Sequence, residues 1–422
     1  MTQIGCHLTG SYIKRRYDMS DTLSIETARA EFPGTERLTY MNVSARGLTP
    51  QRSRDAVDTM MDGMQSGNVD KAAMFDLIER TRDGYAKLIN ASADEISFMK
   101  NVSEGLNVII AAFPWKRGDN VVLCQDLEHP NNVYPWRHLG RRFGVEIRSV
   151  SPRSGAIPSD EILAQIDGNT RMVTASSVTF APGFRTDLAP IGAVCRDKEI
   201  LFLVDGVQSV GILNTDVEAL NIDAMAVSTQ KGLLGLYGMG FLYCRADWAE
   251  RLTPAYLARF GVDLGGSGAH EASLGDDDYR LMPAARRFDL GNYNYTGVAA
   301  VEASIGMMHE LGPQAIEDHT VGLAHEFARG MIDLGMPVCG GEPGSHLGSI
   351  IPVGKIGEGQ HDTTDDPAMS SLHDHLMEND VQLSIRRGIL RFSLHFYNNS
   401  DDVDQVLDLT RTWRGHNRAA MS

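Results

Sequence analysis

Apolar strand-like runs alternate with amphipathic stretches between about residues 55 and 245, and this alternation constrains the fold more than any other feature. Short, continuously apolar runs are typical of strands buried on both faces, and strands separated by helical stretches form parallel sheets covered by helices. The pattern predicts an α/β fold with a mostly parallel, seven-stranded sheet between helices. The predicted strands are Ile96–Met99, Val121–Cys124, Val145–Ile147, Met172–Ala175, Leu201–Val204, Ala224–Val227 and Gly240–Tyr243.

Beyond residue 295 the pattern changes to that of a smaller α+β unit. A long helical stretch begins at Thr296, and short strands are predicted at Ser349–Val353 and Leu390–Leu394. A chain of 422 residues is long enough for about two or three domains. The predicted parts are a flexible N-terminal arm over residues 1–35, a large domain over 36–295 whose first residues fold over the site, and a small C-terminal domain over 296–422.

Three polar segments are expected to be exposed. Residues 1–18 are basic in part but lack the apolar stretch of a signal peptide, so we expect either a flexible arm without a secretory role or a segment read from an upstream start codon. Gly261–Asp278 contains several glycines and acids and is expected to be a mobile loop, either a lid or an ordinary surface loop. Gly354–Asp366 is also predicted to be an exposed loop.

The composition is that of a soluble globular protein and argues against several partners. Apolar residues make up 42 % of the chain, but no run approaches the ~20 apolar residues of a membrane helix. A formal net charge of -16 argues against nucleic acid, which binds clustered Lys and Arg. The five cysteines form neither a CxxC pair nor a zinc-type pattern, so we expect reduced thiols in a cytoplasmic protein and no metal site.

Two ionisable residues follow strands of the predicted sheet. Asp205 ends the run Ile200–Val204, and Lys231 ends the segment that begins at Ala224. Ligands of open α/β sheets bind at the carboxyl ends of the strands. A Schiff-base lysine, with a carboxylate that keeps a pyridine nitrogen protonated, is the pair that pyridoxal 5'-phosphate requires, so we predict that cofactor. The alternative is a helix-capping aspartate and a surface lysine before a glycine-rich turn.

Three more residues lie at the same predicted edge. Ser103 is predicted to be the N-cap of a helix whose N-terminus binds phosphate, although such caps also occur without a ligand. The flat imidazole of His129, on the loop after a strand, can stack on a cofactor ring, whereas a lone loop histidine is usually solvated. Gln208 can donate to the cofactor's phenolic oxygen, or it can be an ordinary residue at a helix start.

Seven motifs extend this pattern over about residues 36–415. They are Tyr40-Met41-Asn42, Asn101–Asn107, Glu128–Trp136, Asp205–Ser209, Ser228–Gly240, Arg287–Asn294 and Arg391–Asn398. In this order they resemble the class V aminotransferases of fold type I. That family also contains cysteine desulfurases, selenocysteine lyases and isopenicillin N epimerase-like proteins.

The resemblance implies a role for individual residues. Lys231 would be the Schiff-base lysine, Asp205 the partner of the pyridine nitrogen and His129 the stacking residue. It further implies a homodimer with shared active sites. The other implied cofactor contacts are Ser103, Glu104 through its backbone N–H, Thr179, Gln208, Ser228, Gln230 and Asn292 toward the neighbouring subunit. The implied substrate contacts are Arg391 for the α-carboxylate, and Asn42, Ser44 and Arg46 for the side chain.

Two departures from cysteine desulfurases are visible in the sequence. Gln230 precedes the lysine where desulfurases usually have a phosphate-binding histidine. The run Ser384–Arg391 leaves no room for the long loop that carries a desulfurase's nucleophilic cysteine, and no cysteine follows Cys339. A desulfurase that forms a persulfide on its own cysteine is therefore disfavoured.

The resemblance implies an enzyme that acts on an α-amino acid through an external aldimine and a quinonoid, with Lys231 as the base. Elimination, transamination and epimerisation all remain open after that step. We favour β-elimination, of the carbon–sulfur lyase type, from a cysteine-like or S-conjugated amino acid without a catalytic cysteine. A class V aminotransferase or epimerase is the alternative, and a non-catalytic binding protein with this fold is a remote one.

Overall fold

The computed structural model describes residues 23–265, 279–357 and 361–417. The predictions for residues 1–18 and for most of Gly261–Asp278 lie outside these ranges. The strands are β1 Thr39–Tyr40, β2 Ile96–Met99, β3 Asn120–Leu123, β4 Glu146–Ser149, β5 Thr170–Ser176, β6 Leu201–Asp205, β7 Ala224–Ser228, β8 Gly240–Cys244, β9 Val262–Asp263, β10 Arg280–Leu281, β11 Ile350–Val353, β12 Val381–Gln382, β13 Ser384–Arg386 and β14 Ile389–Ser393. The helices are α1 Ile25–Ala28, α2 Gln51–Ser66, α3 Lys71–Leu88, α4 Val102–Ala112, α5 Tyr134–Phe143, α6 Ser159–Ala164, α7 Ala189–Asp197, α8 Ala246–Arg251, α9 Tyr295–Leu311, α10 Pro313–Asp333, α11 Pro367–Glu378 and α12 Ser400–His416.

Within the described ranges, the central sheet has seven strands in the order β2-β8-β7-β6-β5-β3-β4. Only β8 runs antiparallel to its neighbours β2 and β7. Every residue of β3, β6, β7 and β8 is buried, which explains their continuously apolar sequences. The predicted α/β fold with a mostly parallel seven-stranded sheet is confirmed.

Apolar cores cover both faces of this sheet. Val121 and Leu123 of β3 belong to one core and Val122 to the other, because successive side chains of a strand point to opposite faces. Helix α4 packs against β7 and β8 on one face. On the other face, α9 packs against α2 and α3. No described helix combines the length and apolar character needed to span a bilayer.

A third core lies in the C-terminal part of the chain. Strands β11, β14 and β13 form an antiparallel sheet in that order, which confirms the two strands predicted there. Phe327 of α10, Leu372 of α11, Phe392 of β14 and Trp413 of α12 are buried in this core. The domain boundary at residue 296 stays a prediction, although α9 itself packs against the helices of the large unit.

The N-terminal segment packs against the C-terminal unit. Strand β1 pairs in parallel with β12, and Asn42 forms a bridge with Ser393. Arg29 forms an ion pair of 2.8 Å with Asp402, and Phe32 is 1 % exposed. The prediction of a flexible arm is therefore corrected for the described residues 23–35, because burial and ion pairing hold them in place.

Candidate active site

The carboxyl ends of the central strands open into a cavity of about 460 Å³. Asp205 and Ser228 end β6 and β7, and Lys231 follows Ser228 after Thr229 and Gln230. Parallel strands place such residues at the same edge of a sheet. The cavity is lined by most of the predicted site residues, namely Ser44, Ser103, His129, Asp205, Gln208, Ser228, Gln230, Lys231 and Arg391.

Asp205 and Lys231 are buried in this cavity. Asp205 accepts a hydrogen bond of 3.0 Å from the Val207 N–H through Oδ1, whereas its Oδ2 has no donor among the described residues. Burial raises the pKa of Asp205 to about 6. Burial, reinforced by the charges of Arg391 and Arg386, lowers the pKa of Lys231 to about 8. The lysine is therefore a better nucleophile and base near neutral pH than an exposed lysine.

The N-terminus of α4 lies against the cavity, but its cap differs from the prediction. Asn101, rather than Ser103, is the N-cap, and its side chain accepts from the Glu104 N–H at 3.0 Å. The Ser228 hydroxyl accepts from the Val102 N–H at 2.8 Å. The predicted cofactor contact through the Glu104 N–H is therefore wrong, because that N–H already donates to Asn101. Among the described residues, the Ser103 N–H has no acceptor, which leaves it available to an anion.

The imidazole of His129 lies in the cavity in its neutral form. Nδ1 accepts from the Asn131 N–H at 3.2 Å, so the remaining proton belongs on Nε2. Burial, together with the nearby charge of Lys231, lowers the pKa of His129 to about 4. The ring also makes an edge contact with Phe180, with centroids 4.8 Å apart. A neutral, flat ring held at this point suits stacking on an aromatic group.

The Gln208 side chain is partly engaged by the protein. Its Nε2 donates to the Ser44 carbonyl at 3.1 Å, which leaves the second amide N–H for another acceptor. Ser44 is held in turn by Ser393, whose hydroxyl donates to the Ser44 hydroxyl at 2.8 Å. The N-terminal segment that carries Ser44 thus closes one side of the cavity.

Arg391 is buried and fixed from two sides. Its Nη1 donates to the Phe180 carbonyl at 2.8 Å, and its Nε donates to the Ser384 hydroxyl at 3.3 Å. Burial, with the neighbouring Arg386, lowers the pKa of Arg391 to about 9, so the guanidinium keeps its charge at neutral pH. A fixed cation in a cavity is suited to a carboxylate.

Thr179 is not part of the cavity, so we withdraw it as a cofactor contact. Its hydroxyl accepts from the N–H groups of Gly183 and Phe184 at 3.1 and 3.0 Å. Val178 and Phe180 line the cavity instead. Alternate residues of an extended segment point to opposite sides, which explains why Thr179 points away between two cavity residues.

Three other predicted residues lie outside the cavity lining. Arg46 is exposed; its backbone N–H donates to the Asn42 carbonyl at 3.1 Å, and its backbone carbonyl accepts from the Tyr40 hydroxyl at 2.7 Å. The Asn42 side-chain oxygen is buried without a hydrogen-bond donor among the described residues. Asn292 lines an adjoining cavity of about 250 Å³ that shares Gly238 with the active site. The contact of Asn292 with a neighbouring subunit stays a prediction. The predicted substrate contacts of Arg46 and Asn42 are corrected, because neither residue lines the cavity.

Several cavity residues were missed by the sequence reasoning. They are Asn101, Asn131, Phe180, Tyr237, His361 and Arg386. Arg386 precedes Arg391 by five residues on the paired strand β13, so a hairpin prediction with the correct register would have found it. His361 comes from the predicted exposed loop, and no local pattern distinguishes it from a solvated histidine.

No cysteine lines the cavity in the described part of the chain. Cys124, Cys195 and Cys244 are buried, and the Cys339 thiol donates to the Gly354 carbonyl at 3.1 Å. Strands β13 and β14 are joined by Arg387 and Gly388 alone, both with positive φ, so this hairpin has no long loop.

The geometry agrees with comparisons to known proteins. The family model "Aminotransferase class-V" matches residues 60–406. The chain belongs to the class V aminotransferase family. A probable cysteine desulfurase of Methanothermobacter thermautotrophicus is 32 % identical over 77 % of this chain and 81 % of its own length. A second probable cysteine desulfurase, from Pyrococcus abyssi, is 26 % identical over 90 % of this chain and 96 % of its own length.

Two solved structures share the fold of this class V family member. The apo cysteine desulfurase of Thermococcus onnurineus NA1 is 23 % identical, with a TM-score of 0.76 over 93 % of this chain and 98 % of that chain. The cystine C–S lyase C-DES, in complex with cysteine persulfide, is 23 % identical with a TM-score of 0.78. The alignment covers 90 % of this chain and 99 % of C-DES.

This class V family member is an enzyme that uses pyridoxal 5'-phosphate, and the cavity fits that group. Lys231 supplies the amine for the cofactor aldehyde, and Oδ2 of buried Asp205 accepts no hydrogen bond from the described residues. A protonated pyridine nitrogen would supply that donor. Ser103 and Ser228 at the N-terminus of α4 suit the phosphate.

Proposed function

We propose that this protein is a carbon–sulfur lyase that carries out β-elimination on a cysteine-like or S-conjugated L-amino acid. One observation carries the proposal: the cavity combines Lys231 and Arg391 but, in the described chain, no thiol. A desulfurase transfers sulfur to its own cysteine, so an enzyme without that group must release the sulfur as a free thiol. The proposed products are pyruvate, ammonium and the thiol.

Arg391 would bind the α-carboxylate of the substrate. Its Nη1 and Nε already donate to Phe180 and Ser384, so the guanidinium plane is set before substrate arrives. A preorganised cation orients the substrate without a further loss of side-chain freedom. The substrate amino group would then lie toward Lys231, which lines the same cavity.

Lys231 would move the proton that starts the elimination. When bound, the cofactor supplies an electron sink for the charge left on the substrate α-carbon. The neutral Nζ of Lys231 takes the α-proton, the Cα–H electron pair becomes the Cα–Cβ double bond, and sulfur leaves with the Cβ–S pair. Sulfur takes up a proton, and water hydrolyses the resulting enamine to pyruvate and ammonium.

Asp205 and His129 would hold the cofactor in a reactive state. The Asp205 carboxylate, open at Oδ2, stabilises positive charge at the pyridine nitrogen, and the neutral His129 ring covers one face of the site. In a homodimer, which we also propose, Asn292 would reach the site of the neighbouring subunit from the adjoining cavity.

The test is a product balance on purified holoenzyme. We expect S-alkyl cysteines to yield pyruvate, ammonium and thiol in equal amounts, with no sulfur retained on the protein. Lys231→Ala should abolish all three products, whereas the matched surface variant Lys198→Ala should release them at the wild-type rate. Conversion of the cofactor to its pyridoxamine form by an amino donor, without thiol release, would instead establish the aminotransferase alternative.

A further inference from the structure

A second guanidinium faces the active-site cavity beside Arg391. Ser384 is the cross-strand partner of Arg391, and Arg386 is two residues further along β13. Residues two apart on a strand share a face, as do direct cross-strand partners. Arg386 and Arg391 are therefore diagonal neighbours on one face of the hairpin, with Cα atoms about 7–8 Å apart.

The Arg386 head group is only partly satisfied by the protein. Its Nη1 is directed at the carbonyls of Ile385 and His361 and at the Asp362 carboxylate. Its Nε is buried and has no acceptor among the described residues. The side chain is 13 % exposed, so water does not readily replace the missing acceptor. A buried donor of a charged group without an acceptor costs stability, whereas other atoms of Arg386 line the cavity and can contact a ligand there.

The ion pair with Asp362 does not prevent a ligand from binding the Arg386 guanidinium. The Asp362 side chain is 72 % exposed, and pairs with such an exposed partner contribute little free energy. An anion that enters from the cavity can therefore compete with Asp362 for the guanidinium. The cavity side is cationic, since Arg391 and Lys231 line it as well.

We propose that Arg386 forms a second anion subsite, so that the preferred substrates carry a carboxylate on the side chain in addition to the α-carboxylate. This inference rests on the proposed function and narrows its substrate class to cysteine S-conjugates whose sulfur substituent ends in a carboxylate. Arg391 holds the α-carboxylate, Arg386 holds the distal one, and the sulfur lies between them. Arg386 is then a specificity-determining residue.

The test measures binding separately from elimination. L-2-aminoadipate and L-homoglutamine have the same shape as S-carboxymethyl-L-cysteine and its amide, but neither has a β-leaving group. Titration of holoenzyme, followed by the absorbance of the bound cofactor, gives a dissociation constant for each. We expect aminoadipate to bind at least about tenfold more tightly than homoglutamine, as a charge-assisted contact implies.

Variants assign this preference to Arg386. Arg386→Gln should remove the preference for aminoadipate, and the exposed control Arg411→Gln, on α12, should keep it. Asp362→Asn removes the competing carboxylate and should strengthen aminoadipate binding, which provides a gain-of-affinity test if Arg386→Gln fails to fold. Equal affinities of wild type for both ligands, or a preference that survives Arg386→Gln, would overturn the proposal.

The elimination assay separates this inference from the proposed function. S-carboxymethyl-L-cysteine should release its thiol and pyruvate faster than the carbamoylmethyl analogue does, and Arg386→Gln should make the two rates similar. If aminoadipate is preferred through Arg386 but neither cysteine conjugate is cleaved, the anion subsite stands and the lyase function fails. If both conjugates are cleaved equally by wild type, the lyase stands and the subsite fails.

Discussion

Glu128 and Ser176 are joined by two hydrogen bonds at the carboxyl end of β5. The Ser176 N–H donates to Oε1 at 2.7 Å, and the Ser176 hydroxyl donates to Oε2. Ser176 is also the cross-strand partner of Asp205. Glu128 is buried without a cationic partner among the described residues, and burial, with the nearby charge of Asp205, raises its pKa to about 7.

Glu128→Gln is expected to remove part of the pH dependence of stability. The pKa of Glu128 is higher in the folded protein than the ordinary 4.5, so folding favours the protonated form. This contribution is complete below about pH 4.5 and is lost as pH rises through about 7. Urea unfolding of holoenzyme at pH 5 and pH 8 should show wild type losing on the order of 3 kcal/mol more than Glu128→Gln over this interval.

The exposed variant Glu218→Gln is the control for this prediction and should follow wild type at both pH values. If Glu128→Gln also followed wild type, the Glu128 carboxyl would not titrate in this range. The absolute stability of Glu128→Gln matters less, because its amide also changes the contact with Asn132, whose side-chain N–H₂ donates to Oε2 at 2.9 Å.

Cofactor loading should report the lowered pKa of Lys231. Only the neutral amine attacks the cofactor aldehyde, and with a pKa of about 8 roughly one amine in a hundred is neutral at pH 6. The rate at which apoprotein binds pyridoxal 5'-phosphate covalently should therefore rise about tenfold per pH unit below 8 and level off above it. Stopped-flow absorbance measures this rate.

Removal of the neighbouring cation Arg386 should shift the pH dependence of cofactor binding. Arg386 helps to lower the pKa of Lys231, so Arg386→Gln should shift the inflection to higher pH, while Arg411→Gln should leave it in place. An inflection near the ordinary lysine value of 10.5 in the wild type would show that burial does not act on Lys231 as described.

Arg391 should affect substrate binding through its shape as well as its charge. Lysine at this position keeps the charge but cannot donate to the Phe180 carbonyl, the Ser384 hydroxyl and a carboxylate together. We expect Arg391→Lys to raise KM for the amino acid about tenfold to a hundredfold, with a smaller fall in kcat. Steady-state kinetics of thiol release test this, and an unchanged KM would remove Arg391 from the carboxylate site.

Sequence reasoning located the residues fixed by regular structure and misplaced those fixed by loops. Asp205, Ser228 and Lys231 follow buried strands, whose apolar runs set their positions at the sheet edge. Thr179 was misassigned because the alternation of an irregular segment cannot be read from composition. Arg386 was missed because its place beside Arg391 depends on the pairing of β13 with β14, and only the second of these strands was predicted.

The N-cap of α4 shows a finer limit. Asn101 and Ser103 both favour N-cap positions, and they are two residues apart. Which of the two becomes the N-cap depends on Ser228, which lies on a strand over a hundred residues away. Its hydroxyl accepts a hydrogen bond from the Val102 N–H and so fixes where the helix begins. A local pattern contains no information about that contact.

A lyase without a catalytic thiol should be insensitive to the loss of the two cysteines other than the three buried ones. Cys339 is half-buried, and Cys6 lies outside the described residues, whereas the other three thiols are buried. The double variant Cys6→Ala, Cys339→Ala should therefore retain the wild-type rate of thiol release and remain active after treatment with iodoacetamide. Alkylation of the wild type serves as the comparison, and mass spectrometry during turnover checks that no persulfide forms. A double variant that folds, loads cofactor and no longer releases thiol would show that a cysteine takes part in the reaction, and would return the protein to the desulfurase class.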